Sequence, residues 1–198
     1  MTTIIRLASE KDADQILAIY GPIVRQTATS FEAEPPSVEE MRRRIADTLT
    51  HFPWLVCDRD GEVLGYTYAR EHRNRPAYQW SVDLSIYVQA SQKRSGIGRT
   101  LYCSLFKILV MQGYYNAYAG ITLPNPGSVG LHEALGFQPV GVDREIGFKL
   151  GAWHDVGHWQ LGLQPKIIPP QPPLDLKAVQ QLPDWNTALS YGSAMLRV

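Results

Sequence analysis

The 198-residue chain has no excess of either charge: 19 Lys and Arg offset 19 Asp and Glu, for a net charge of zero. Without a global field it is not drawn to nucleic acid or to an acidic membrane surface. Its two cysteines, Cys57 and Cys103, lie in apolar contexts and read as reduced core thiols, which excludes a disulfide framework. No apolar run reaches the ~18 residues that a membrane span needs. The opening Met-Thr-Thr-Ile-Ile-Arg lacks a basic segment followed by a long apolar one, so a cytoplasmic location is the expectation. The 5 histidines lack the paired spacing of a zinc site, and no metal is predicted. No internal repeat is visible.

What is present is an ordinary soluble composition, 44% apolar and 19% charged. Thr3–Leu7 reads as a strand. Ser9 caps a helix, with Asp12 completing a near capping box, and Ala13, Ile16, Leu17 and Tyr20 keep helical spacing. Ser37, Glu39 and Glu40 start a second helix through Met41, Ile45 and Leu49. Trp54–Asp58 and Val63–Arg70 flank an Asp60-Gly61 hairpin signal, and Trp80–Val88 is a further strand. Thr100–Gln112 is a helix ended by Gly113, Ala117–Thr122 a strand, and Ser128–Leu135 a short helix stopped by Gly136. Strands near Gly141–Phe148 and Trp153–Leu163 close the series. This order implies an α/β (α+β) fold, a sheet of mixed direction with helices packed on it.

After Leu163 the character changes to a polyproline-like spacer, Pro169-Pro170-Gln171-Pro172-Pro173. Residues 1–163 are read as the catalytic unit. Residues 164–198 are read as a Pro-rich linker and an appendage, in which Leu176, Val179, Leu182, Trp185 and Leu189 could pack on a surface.

The most informative stretch is Ile86–Gly98. An apolar strand ends, basic and small residues follow, and Gly96-Ile97-Gly98 opens a helix. Glycines admit close backbone approach, and the first N–H groups of a helix are unpaired donors at a positive dipole end. With Lys93, Arg94 and Arg99 around the turn, the expected guest is a diphosphate.

Lys93-Arg-Ser-Gly96-Ile-Gly98 followed by an amphipathic helix resembles the acyl-CoA pyrophosphate loop of the GCN5-related N-acetyltransferases. About thirty residues on, Asn125, Ser128, His132 and Gly136-Phe137 resemble the family's second motif, and the first three share one side of a helix and its leading turn. Trp80–Val88, Gly96–Tyr102, Leu131–Phe137 and Gly147–Trp159 are similar to the phosphinothricin and methionine sulfoximine N-acetyltransferase group, over roughly Ile4 to Leu163. The resemblance implies a GNAT fold, a mixed but mostly antiparallel central sheet flanked by helices. It implies acetyl-CoA as co-substrate, direct attack by an amine, a small amino acid as acceptor, and a homodimer.

It also implies roles. The backbone of Ile86, Tyr87 and Val88 would pair with the pantetheine arm, and an N–H there would serve as oxyanion donor. Arg94, Ser95, Gly96, Ile97, Gly98 and Arg99 would hold the diphosphate, with Asn125 and Ser128 near the thioester. Asp83, where the group more often carries Glu, is the candidate base, or the holder of the ammonium while a water takes its proton. His132 stands where many relatives use Tyr to protonate the thiolate, and imidazole can serve as acid or base. Arg73, with Arg75 beside it, is expected to clamp the substrate carboxylate, and Tyr78 to wall the pocket. Acetylation of a protein or peptide amine, and a non-catalytic acyl-CoA-binding regulator, are the competing readings.

Overall fold

The computed structural model describes residues 2–195. Seven strands form one sheet: β1 (Thr3–Leu7), β2 (Trp54–Arg59), β3 (Glu62–Glu71), β4 (Ser81–Val88), β5 (Asn116–Leu123), β6 (Gln138–Lys149) and β7 (Ala152–Gly162). Their order across the sheet is β1-β2-β3-β4-β5-β7-β6. Every neighbouring pair is antiparallel except β4 and β5. The helices are α1 (Ala13–Gln26), α2 (Val38–Thr48), α3 (Ile97–Gln112) and α4 (Pro126–Ala134), with short α5 (Leu176–Val179) and α6 (Trp185–Ser190) near the end.

Local chemistry sets the boundaries. Ser37 caps α2 by accepting from the Glu40 N–H at 3.1 Å, and Asn125 caps α4 by accepting from Ser128 N–H, also at 3.1 Å. The β2–β3 turn places Asp60 and Gly61 at φ 51° and 92°, the paired left-handed conformation that suits a two-residue hairpin. Leu150 and Gly151 do the same between β6 and β7, at 52° and 80°.

A core lies on each face of the sheet. On one side Ile16, Ile19, Met41 and Ile45 of α1 and α2 meet Trp54, Val56 and Tyr66. On the other, Leu101, Leu105, Ile108 and Leu109 of α3 meet Leu55, Leu64, Val82 and Leu84.

The segment after Leu163 shares this second core instead of standing apart. Leu176, Val179, Trp185 and Ala188 are all buried in it. The Ser104 hydroxyl donates to Leu189 O at 2.7 Å and accepts from Gly192 N–H at 2.9 Å, while Gln112 Nε2 donates to Leu174 O at 2.9 Å. Apolar residues recurring every three to four positions along a short helical strap, not a separate body, explain the spacing noted above.

The pairing of β4 with β5 decides where a ligand can enter. It covers only Ser81–Asp83 against Asn116–Tyr118, although β4 continues to Val88 and β5 to Leu123. Beyond Asp83 the two strands part, and a cleft opens between them.

Candidate active site

The cleft at the fork is lined by Leu84, Ser85, Ile86 and Tyr87 of β4, by Ala119–Thr122 of β5, and by Tyr102, Asn125, Ser128 and His132 from α3 and the start of α4. Thr29 closes one side. Asp83 and Tyr118 are the last paired residues, so the Asp83 carboxylate marks the point of divergence.

At the far end β4 runs into the glycine loop. Arg94 and Gly96 both adopt positive φ, 63° and 89°, and Gly96 begins α3. A Cβ at Gly96 would meet nothing within 4 Å, so its glycine is there for conformation and leaves the loop open to a guest. Gly98 has a different reason: a Cβ there would come within 3.0 Å of Leu131 and 3.5 Å of Ile86, so the glycine lets α4 approach α3. Ile97 is buried and offers only its backbone, whereas Arg94, Ser95 and Arg99 are exposed. With the leading N–H groups of α3 unpaired within the helix, this loop fits a diphosphate.

His132 is 2% exposed, and both ring nitrogens are engaged. Nδ1 lies 2.8 Å from Ser128 O, which can only accept, so Nδ1 carries the hydrogen. Nε2 is therefore the acceptor, and the Tyr102 hydroxyl donates to it at 2.9 Å. Burial pushes His132 below its ordinary value and outweighs the Ser128 bond, while burial raises Tyr102. The expectation that His132 serves as acid or base meets a ring whose two nitrogens are both engaged. It is a neutral ring whose free pair is already filled, and the phenol is its donor. Tyr102 was not singled out from sequence, because its helical spacing reads simply as core.

At the fork, Asp83 Oδ1 lies 2.6 Å from His72 Nδ1, and Asp83 Oδ2 lies 3.8 Å from the Arg70 guanidinium. The His72 ring stacks on Tyr118, with centroids 4.2 Å apart and planes 12° apart, and meets Tyr78 edge-on at 6.2 Å. Neither His72 nor the direct Arg70 contact was named as a site feature. Arg70 lies opposite Asp83 in the β3–β4 register, and His72, two residues on, sits over the same carboxylate.

The anticipated clamp is less compact. Arg73 lies 5.7 Å above the Tyr78 ring on an exposed loop, and Arg75 is exposed. Neither lines the cleft, and Tyr78 touches the site only through His72. Asn125 and Ser128 do line it, but Asn125 Oδ1 is committed to the cap of α4 and Ser128 to holding His132. The thiols offer no nucleophile: burial pushes Cys57 up to about 11 and raises Cys103 as well. Among the described residues no group of three or more His, Cys, Asp or Glu could hold a metal ion, and no helix is long and apolar enough to cross a membrane.

Residues 5–158 match the family model described as an acetyltransferase (GNAT) domain. The phosphinothricin N-acetyltransferase of Streptomyces viridochromogenes is 36% identical over 90% of this chain and 95% of its own length. The L-methionine sulfoximine/L-methionine sulfone acetyltransferase of Pseudomonas aeruginosa is 34% identical over 83% of this chain and 97% of its own. Among solved structures, a phosphinothricin acetyltransferase from Sinorhizobium meliloti in complex with acetyl-CoA aligns with a TM-score of 0.80 at 33% identity, over 89% of this chain and 99% of that one.

Proposed function

The chain belongs to the GNAT family of acetyl-CoA-dependent acetyltransferases, and we propose that it acetylates the α-amine of a small amino acid of the phosphinothricin or methionine sulfoximine type. The observation that carries this reading is the fork. An extended acyl-pantetheine chain entering where β4 and β5 part can pair with the free edge of Ile86–Val88. The same entry brings a thioester between two sets of proton-handling side chains, which direct amine attack requires.

Residues Arg94–Arg99 hold the diphosphate through backbone N–H groups and two guanidinium charges. A backbone N–H of Ile86–Val88 meets the developing oxyanion. Tyr102 lines the cleft, and its one hydroxyl hydrogen, held on His132 Nε2, turns from the ring to the leaving sulfur as the C–S bond breaks. Arg70 at the fork is the guanidinium best placed for an acceptor carboxylate, with Arg73 in reserve on the loop above. Relatives named for amino acid analogues support the acceptor class, and the confined fork favours a small amine over a protein segment.

The boundary at residue 163 belongs to the same reading. The acetyltransferase unit ends with β7, and the following strap braces α3 from behind. Homodimerisation is supported by the β6–β7 hairpin, where Ile146, Phe148, Leu150 and Trp153 are 58%, 63%, 59% and 61% exposed. A cytoplasmic location agrees with two unpaired thiols, buried Cys57 and partly buried Cys103.

The test is acetyl-CoA-dependent thiol release over a panel of L-phosphinothricin, L-methionine sulfoximine, ordinary amino acids and short peptides. Turnover confined to the two analogues is the expected result. Preference for peptides would overturn the acceptor assignment and leave the acetyltransferase intact.

A further inference from the structure

His72 and Asp83 form a pair at the point where β4 and β5 separate. We propose that His72, not Asp83, is the group that takes the proton from the acceptor amine, with Asp83 as its positioning residue. The proposal deepens the functional reading above and rests on it for the presence of an amine at the fork.

The chemistry follows from which atoms are already used. The Asp83 carboxylate can only accept, so at 2.6 Å it is His72 Nδ1 that carries the shared hydrogen. That fixes the tautomer and leaves the lone pair on Nε2, on the far side of the ring. Nε2 has no hydrogen-bond partner among the described residues, and the His72 side chain is 18% exposed, so the pair is open to an incoming group. Asp83 is 27% exposed, but both of its oxygens already face a partner. Its Oδ1 is held by His72, and the Arg70 guanidinium stands 3.8 Å from Oδ2.

The ring is also held in place. Stacked on Tyr118 of β5 and bonded to Asp83 of β4, it bridges the two strands where they diverge. Ser85, the next β4 residue on the Asp83 face, already lines the cleft about 7 Å further along the strand. A shorter carboxylate at the fork therefore reaches the amine through an imidazole. This is the acid–orienter logic of a base fixed by a third group.

The proton balance closes. His72 Nε2 takes one proton from the ammonium, and the freed nitrogen pair forms the N–C bond to the acetyl carbon. The nitrogen loses its second proton as the C–S bond breaks and its electron pair leaves on sulfur. One proton ends on sulfur and the other passes from His72 to water.

The discriminating variant is His72→Asn, whose amide nitrogen can still donate to Asp83 but carries no basic pair. It is measured in the full chain with whichever amine the wild type acetylates, so a wrong acceptor class shows as a changed panel and a wrong base as a changed ratio. Expected are a kcat lower by about 10²–10³-fold, an unchanged KM for acetyl-CoA, and unchanged thermal stability. His72→Gly should regain at least about tenfold of its lost kcat with added imidazole. A His72→Asn kcat within about threefold of wild type would overturn the proposal, as would a His72→Gly variant that binds acetyl-CoA normally yet ignores imidazole.

Discussion

His132 lines the cleft and His72 stands at the fork where β4 and β5 part, and each gives its Nδ1 hydrogen to an oxygen. What differs is the partner and the state of Nε2. At His132 the oxygen is a helix carbonyl, the ring is 2% exposed, and Nε2 is filled by a phenol. At His72 the oxygen is a carboxylate that can balance a new positive charge, and Nε2 is open. The same residue type is thereby set to opposite tasks. A buried ring without a counter-ion stays neutral and orients a donor, whereas a partly exposed ring on a carboxylate has a counter-ion for a proton it takes up.

The largest test of that contrast is Asp83→Asn. Its amide can face the imidazole as a donor, which would favour the Nε2–H tautomer and remove the accepting pair. The kcat for amine acetylation should fall by about 10²–10³-fold, as far as loss of the base itself, with acetyl-CoA binding retained by calorimetry. Tyr102→Phe attacks the other side. It deletes the phenol and leaves His132 Nε2 buried without a donor, so kcat should drop by about 10–100-fold and stability by about 1–3 kcal/mol in denaturant titration. His72→Asn, by contrast, should leave stability within about 0.5 kcal/mol, since its surroundings are partly open.

Gly98→Ala perturbs the His132 side and the cofactor loop, and leaves His72 and Asp83 untouched. The added methyl presses Leu131 at 3.0 Å and shifts α4 against α3, for a loss of about 1 kcal/mol and a modest fall in kcat. The smallest effect is a pH dependence. Because burial lowers His132 below the ordinary imidazole value of about 6.5, the unfolded chain binds a proton that the native ring refuses as pH falls past that value. This penalty is absent above that range and grows below it. Thermal unfolding of His132→Gln between pH 7 and 5 should therefore decline less steeply than that of wild type.

Much of this molecule is written locally. Asp60-Gly61 and Leu150-Gly151 announce their hairpins, Gly113 and Gly136 end helices, and Gly96 betrays the phosphate loop because left-handed backbone strongly favours glycine. The alternation along β4 also makes Asp83 and Ser85 share a face. What remained hidden depends on contacts across elements. His72 reaches Asp83 through hairpin register, and Tyr102 reaches His132 through the packing of α3 on α4 that Gly98 permits. Arg70, Arg73 and Arg75 read as one basic cluster in the sequence, and of the three it is Arg70 whose strand position faces the carboxylate. The strap after residue 163 shows the same limit: its apolar spacing is legible, but that it completes the α3 core is a property of the whole fold.

The most direct test is long-range ¹H–¹⁵N correlation of the imidazole rings near neutral pH, assigned with His72→Asn and His132→Gln. The structure predicts the Nδ1–H tautomer at both rings, with the His72 Nε2 signal responding to an added acceptor amine and the His132 Nε2 signal unmoved. A His72 ring protonated at Nε2 and bare at Nδ1, or an amine response at His132 instead, would contradict the division of roles.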